Sequence, residues 1–97
     1  MLTSKQRAKL RSLAMKTEPI YQIGKGGVSA AMLEGLSAAL EKRELIKITV
    51  LRACEQKASQ IIEALARQLN AEPVTAVGNK IVLYRRSANE NIEHIEF

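Results

Sequence analysis

The sequence predicts an α/β fold in which three helices pack on a mixed four-stranded sheet, in the order α-β-α-β-α-β-β. Apolar, β-prone runs alternate with helical patterns, and strand-helix-strand units imply parallel pairing with right-handed crossovers. The clearest helical pattern, Glu55 to Asn70, repeats apolar residues at i, i+3, i+4 and i+7. Gly78-Asn79 separates two apolar runs and is typical of a two-residue hairpin, so the last two strands should pair antiparallel.

The first helix is predicted from about Ser4 to Thr17. Thr3 and Gln6 have the Thr-x-x-Gln spacing of a capping box. Pro19 ends the helix because it disfavours the α conformation of the residue before it. At about 100° per residue, a narrow apolar seam lies between two basic flanks. One flank holds Lys5, Lys9 and Lys16, and the other holds Arg7 and Arg11.

Two further helices and four strands follow the first helix. The second helix is predicted from Val28 to about Arg43, with Ser29 or a loop glycine as its cap. Gly35 lies inside it at a cost of about 1 kcal/mol relative to Ala, which we interpret as a requirement for close packing. Asn70 caps the third helix. The predicted strands are Ile20–Ile23, Leu45–Leu51, Val74–Val77 and Ile81–Arg85.

The last eleven residues differ from the rest of the chain, since they are polar and acidic and carry no Lys or Arg. They are predicted to form either a loose tail or a short edge strand through Ile92–Phe97. We therefore expect one domain over residues 1–86 and an acidic C-terminal tail over residues 87–97. His94, the only histidine, is interpreted as a solvated side chain, and Cys54 as a small buried apolar residue.

Positive charge is concentrated in the first quarter of the chain. Residues 1–27 carry six basic side chains against Glu18, a net charge of +5, whereas residues 28–97 carry nine basic and nine acidic side chains. A localised positive field indicates a polyanionic partner. The plainer alternative is a solvated basic helix with no partner.

Several functional classes find no support in the residues present. Cys54 is the only cysteine, so no intramolecular disulfide can form, and no Cys/His group has metal-ligand spacing. The acidic residues are scattered and form no acid/base pair. No stretch has the length or apolar character of a membrane span or a signal peptide. We predict a cytoplasmic monomer with no enzymatic activity, no cofactor and no metal.

A glycine-rich loop, Gly24-Lys25-Gly26-Gly27, stands between the first strand and the second helix. Strand, glycine loop and helix N-terminus together form an anion-binding corner, and Lys25 adds a full charge. A Walker-type loop is excluded because Lys25 is not followed by Ser or Thr. A dinucleotide fingerprint is excluded because no acidic residue stands about 20 residues further on at the end of a second strand. Two interpretations remain: a Gly-x-x-Gly loop that clamps nucleic-acid backbone, or a tight turn with no ligand.

These features resemble the CRM domain (chloroplast RNA splicing and ribosome maturation) in its bacterial single-domain, YhbY-like form. The resemblance covers roughly residues 2–86, and the combination of motifs is more specific than the glycine loop alone. The motifs are the basic opening Leu2-Thr3-Ser4-Lys5-Gln6-Arg7, the loop Ile23-Gly24-Lys25-Gly26-Gly27, the strand Leu45-Ile46-Lys47-Ile48, and the hairpin segment from Val77 to Arg85.

The resemblance implies a fold like that of the C-terminal domain of translation initiation factor three, and an RNA-binding function. It further implies that rRNA in precursors of the large ribosomal subunit is the partner, and that the protein acts as an assembly factor. The implied RNA-contacting residues are Gly24, Lys25, Gly26 and Gly27 in the loop, flanked by Lys5, Lys9, Arg11 and Lys16 on the first helix.

Two other functions stay open on the sequence. One is a protein-interaction domain whose basic face binds an acidic partner. The other, less supported, is a small enzyme that acts on a phosphate ligand. Only Tyr21, Tyr84 and Phe97 are aromatic, which favours recognition of RNA backbone and shape over base stacking as the main mode.

Overall fold

The computed structural model describes residues 2–97, so that Met1, with which the predicted domain begins, lies outside the described residues. Its elements are α1 (Ser4–Ala14), β1 (Tyr21–Ile23), α2 (Ala30–Arg43), β2 (Leu45–Val50), α3 (Ala58–Leu69), β3 (Glu72–Val77) and β4 (Lys80–Tyr84). The strands form one four-stranded sheet in the order β1-β2-β4-β3, with β1 parallel to β2 and the other two pairs antiparallel. The predicted element order and mixed sheet are confirmed.

Every element begins or ends one to three residues away from its predicted boundary, with shifts of three residues at α1 and α3 and of two at α2 and β3. α1 ends at Ala14 rather than Thr17, because the chain tightens there: the Thr17 N–H donates to the Ala14 carbonyl at 3.0 Å. α3 begins at Ala58, three residues later than predicted. β3 begins at Glu72 and includes Pro73, which is tolerated because β3 is an edge strand with a register shift next to this proline.

Each face of the sheet has its own apolar core. The larger core lies between the sheet and helices α2 and α3, and the smaller lies between the opposite face and α1. β2 contributes to both, since Ile46, Ile48 and Val50 point into the larger core and Leu45 into the smaller. Neighbouring residues of β2 therefore point to opposite faces of the sheet. Among residues 2–97, no helix combines the length and apolar character needed to cross a membrane.

Gly35 lies where α2 passes the side chain of Tyr21. A Cβ at this position would stand 2.9 Å from Cζ of Tyr21 and closer still to the hydroxyl oxygen. Real Cβ atoms do not approach other heavy atoms this closely, so a larger residue would force the Tyr21 ring or the helix to move. The interpretation of Gly35 as a position of close packing is confirmed.

We expect the effect of Gly35→Ala on stability to depend on whether Tyr21 is present. With Tyr21 present, the clash should cancel or exceed the gain of about 1 kcal/mol that Ala brings to a helix. In a Tyr21→Ala background, the same substitution should stabilise the protein by about 1 kcal/mol. Chemical denaturation of the four proteins gives the coupling between the two positions. Equal effects in both backgrounds would show that the ring moves aside at no cost.

Residues 87–97 are bound to the rest of the domain through Glu44, which is 0% exposed. Its carboxylate accepts the Ser87 N–H and the Ile95 N–H, both at 2.7 Å, and the Nδ1–H of His94 at 2.5 Å. The Phe97 ring packs edge-on against Tyr84, with ring centroids 5.1 Å apart. This segment is therefore anchored irregular chain rather than a loose tail, and the described Ile92–Phe97 forms no strand.

The interpretation of His94 as a solvated side chain is wrong. Its side chain is only 19% exposed because it is held by Glu44. Burial of Glu44 raises the pKa of its carboxyl, but the hydrogen bonds from His94, Ser87 and Ile95 outweigh burial and bring the pKa below its ordinary value of 4.5. The carboxyl is therefore ionised at neutral pH, which matches its role as acceptor of three hydrogen bonds.

Candidate nucleic-acid interface

The glycine loop leaves the end of β1 and makes a tight turn before α2. The Gly27 N–H donates to the Gly24 carbonyl at 3.0 Å, and Gly27 has a φ of +70°, a conformation that favours glycine. Lys25 and Gly26 form the exposed tip, and a Cβ at Gly26 would meet no atom within 4 Å. Gly27 is therefore needed for the turn itself, whereas Gly26 leaves an open stretch of backbone at the tip.

The helix that follows the loop is capped by Ser29, one of the predicted candidates. The Ser29 Oγ accepts the N–H of Met32 at 3.1 Å, and the described first turn of α2 contains no acidic side chain. The positive end of the helix dipole is therefore not neutralised by a neighbouring carboxylate. The glycine loop and the helix start together have the properties of an anion-binding corner.

The sheet brings two other connections to the same edge as the glycine loop. The end of β2 lies beside the end of β1, since the Leu51 N–H donates to the Ile23 carbonyl at 2.8 Å. The β3–β4 hairpin joins them, because the Val50 N–H donates to the Asn79 carbonyl at 2.7 Å. The connection after β2 carries Arg52 and Lys57 beside Glu55, and β4 begins with Lys80.

Arg52, Lys57 and Lys80 lie at this edge of the sheet but are not among the residues that the sequence predicts to bind RNA. They belong to the part of the chain whose net charge is zero, so composition gave no signal. A signal did exist in the topology, because loops that follow parallel strands meet at one edge of a sheet, and ligands bind there. Arg52 and Lys57 follow β2 in this way, beside the glycine loop that follows β1.

The predicted cations of the first helix do not lie on one surface. Arg11 lines a groove between α1 and the sheet, together with Lys47 and Lys80. Lys5 and Lys9 line a different groove, which is shared with Glu96 and Phe97 of the acidic segment. Lys16 is exposed in the turn after α1. The helix is thus basic on two flanks, as predicted, but the flanks face different parts of the molecule.

Arg85 lies in the hairpin motif but has a structural role. Its guanidinium donates to the carbonyls of Leu69 and Ser37 at 2.7 and 2.9 Å and to the carboxylate of Glu41 at 3.2 Å. These bonds join the end of α3, the middle of α2 and the end of β4. With its side chain only 19% exposed, Arg85 stabilises the fold rather than offering a free charge.

The remaining reactive side chains are used in packing. Cys54 packs against the larger core, as expected of a small apolar residue, but it is half-buried rather than buried as predicted. His94 is bound to Glu44. Within residues 2–97, no group of three His, Cys, Asp or Glu side chains is arranged to hold a metal ion.

Comparison with known proteins identifies relatives along nearly the whole chain. The chain is 47% identical to the "Probable RNA-binding protein YqeI" of Bacillus subtilis, covering 96% of this chain and 98% of that one. It is 34% identical to an "RNA-binding protein" of Haemophilus influenzae, covering 95% and 93%. The solution structure of a hypothetical protein from Staphylococcus aureus superimposes with a TM-score of 0.78 at 42% identity, covering 98% and 100% of the two chains.

The family comparison agrees with these relatives. The model of the CRS1 / YhbY (CRM) domain matches residues 2–85, which is nearly the range on which the sequence resemblance was based. The helices, the strands and the glycine loop described above all lie within that range. The chain therefore belongs to the CRS1 / YhbY (CRM) domain family.

Proposed function

We propose that this protein binds RNA and acts in the cytoplasm as an assembly factor on precursors of the large ribosomal subunit. The observation that carries the proposal is the exposed Lys25-Gly26 tip, on an edge of the sheet that also holds Arg52 and Lys57. The names of the Bacillus and Haemophilus relatives support RNA as the ligand. The domain over residues 1–86 would contain the binding surface, and the protein would act as a monomer.

In this proposal the glycine loop binds phosphate. The bare backbone at Gly26 allows close approach, since no neighbouring atom fills the space where its Cβ would stand. Lys25 supplies charge, and Gly24 and Gly27 hold the turn through their hydrogen bond. The N-terminus of α2 adds its dipole to the same place. None of these contacts reads a base, so binding at the loop should depend little on RNA sequence.

The helix cations have two roles in the proposal. Arg11 and Lys16, at and just beyond the last turn of α1, extend the RNA-binding surface from the sheet. Lys5 and Lys9, beside the acidic segment, add to the long-range positive field that steers RNA toward the protein. Arg52, Lys57 and Lys80 contact the RNA backbone in addition to the predicted residues.

We expect the affinity for single-stranded RNA to fall steeply with salt. If five to six of these cations meet phosphates, the slope of log K against log salt should be about −4, since each contact on a single strand contributes about −0.7. Titration of a fluorescent oligoribonucleotide at several salt concentrations measures the slope. A slope near zero would contradict a surface that binds mainly phosphate.

Co-sedimentation tests the ribosomal part of the proposal separately. The tagged protein should sediment with precursors of the large subunit, and treatment with ribonuclease should release it. If the protein sediments with particles whose rRNA has been digested, its partner is a protein with an acidic surface. The proposal of direct RNA binding at the ribosome would then fall, even if the isolated protein binds oligonucleotides.

A further inference from the structure

A groove of about 540 Å³ lies beside the C-terminal half of α1, where the helix leaves part of the sheet uncovered. One wall is formed by Ala8, Arg11 and Ser12 of α1 and by Met15, which directly follows the helix. The floor and the other wall are formed by side chains of β2, β4 and β3. These are Lys47, Lys80, Val82, Thr75 and Val77. A groove of this volume is large enough for one nucleotide unit.

The groove exposes apolar side chains that the fold does not use. Met15 is 84% exposed and Val77 is 68% exposed, and both line the groove. They are two of the four large apolar side chains that are exposed in the described chain. Of the other two, Phe97 packs against Tyr84 and Leu51 lies against the glycine loop. Met15 and Val77 therefore form a small apolar platform, of the kind that marks a binding surface when polar groups surround it.

The charged residues that line the groove are all positive. Arg11, Lys47 and Lys80 contribute to its walls, and the lining among residues 2–97 includes no acidic side chain. Lys47 is held in place, since its Nζ donates to the Ala14 carbonyl at 3.3 Å. A ligand that matches this groove has one part that packs against apolar side chains and another that is negatively charged. A nucleotide has both, since the face of its base can pack against Met15 and Val77 and its phosphate is an anion.

The groove is continuous with the edge that carries the glycine loop. Lys80 and Val77 flank the β3–β4 hairpin, whose Asn79 carbonyl accepts the Val50 N–H at 2.7 Å. Val50 is paired with Ile23, the residue before the loop. A strand of RNA bound by the loop could therefore run across the ends of β1, β2 and β4 and reach the groove without leaving the protein surface.

We propose that this groove is a nucleotide subsite of the RNA interface. The base of one nucleotide lies against Met15 and Val77, and its phosphate is bound by Arg11 and Lys80. This inference rests on the proposed RNA-binding function and deepens it, because it adds a contact with a base to a surface otherwise suited to phosphates. Methionine can adapt its shape to any base, so the subsite should accept different bases.

The test uses two variants and two probes. The first is the double variant Met15→Gln/Val77→Thr, here called the platform variant. It keeps the approximate side-chain shapes and secondary-structure propensities while it makes the platform polar. Lys80→Gln removes one charge. Each is titrated with a uridine oligomer and with an abasic ribose-phosphate oligomer of equal length. Ala38→Gln, on the exposed face of α2, is the matched control for a surface change in polarity. Thermal melting of each variant establishes that it is folded.

We expect the platform variant to bind the uridine oligomer about fivefold more weakly than the unchanged protein, at an unchanged salt slope. It should bind the abasic oligomer like the unchanged protein, because no base is present to lose its contact. Lys80→Gln should weaken binding of both probes and reduce the steepness of the salt slope by about 0.7. The control variant should change neither the affinity for the two probes nor the salt slope.

Three outcomes would overturn the inference. If the platform variant binds both probes normally while Lys25→Ala weakens binding, RNA binding stands and the groove is not a subsite. If the platform variant binds both oligomers normally but loses affinity for ribosomal particles, the groove binds a protein instead. If the unchanged protein binds neither probe, the proposed function falls together with the inference.

Discussion

Gly26→Asp should remove most of the RNA affinity while the protein remains folded. The carboxylate would stand at the tip of the loop, where it blocks the approach of the phosphate and repels it. We expect a loss of about 10- to 100-fold, or about 1.4 to 3 kcal/mol. The fold should tolerate the side chain because Gly26 has open space around its missing Cβ. RNA titration beside circular dichroism melting measures both effects.

Neighbouring variants separate the causes of that loss. Gly26→Asn has nearly the same size as Asp without its charge, so its smaller effect would report steric blocking alone. Lys25→Ala should remove one phosphate contact, weaken binding moderately and reduce the salt slope by about 0.7. Gly27→Ala is unsuitable as a binding test, because the φ of +70° at this position would strain any other residue. If Gly26→Asp unfolds the protein while Lys25→Ala binds normally, the loop is only a structural turn.

Glu44→Ala should be the most destabilising of these single substitutions. It leaves the buried N–H group of Ser87, the half-buried N–H group of Ile95 and the His94 ring without their shared acceptor. Because hydrogen bonds to charged groups are each worth about 1.5 to 3 kcal/mol, we expect a loss of at least about 3 kcal/mol in the free energy of unfolding. Urea denaturation measures it. Glu34→Ala is the control, since Glu34 is an exposed glutamate of α2.

The same interaction should respond to acid. Since the pKa of Glu44 is lowered in the folded protein, its contribution is complete above 4.5 and is lost as the pH falls through the lowered value. The amide protons of Ser87 and Ile95 should report this titration in NMR spectra, because both are bonded to the carboxylate. If their chemical shifts follow a pKa above 4.5, or if Glu44→Ala has the same free energy of unfolding as Glu34→Ala, the anchor contributes little.

Local patterns were sufficient to predict most of the fold. Both hydrogen bonds of the Thr3–Gln6 capping box are present. Asn70 ends α3 with a left-handed φ of 53°. Gly78 turns the hairpin with a φ of 59°. The apolar residues that follow the helical repeat in α3 are all buried: Ala58, Ile61, Ile62, Leu65, Ala66 and Leu69. These features depend on neighbours within one turn or one strand, and so can be predicted from spacing alone.

Pairings between distant residues could not be predicted in this way. Glu44 reads as an ordinary polar residue at the end of a helix, yet it is buried because groups about 50 positions away bind it. Arg85 reads as one more basic residue, yet it joins α2 and α3. Nothing in the local sequence marks either partner, since any exposed loop offers N–H and carbonyl groups.

The features of the candidate site likewise fall into those set by local sequence and those set by tertiary packing. The sequence by itself determined the glycine loop, the capped helix after it and the two basic flanks of α1, because each is a local pattern of residue types. Only the tertiary structure decided which cations share a surface: Arg11 lies with Lys47 and Lys80, and Lys5 and Lys9 lie with Glu96. The reason is that charges meet where strands pair and where a helix crosses a sheet, and both depend on packing between segments far apart in the chain.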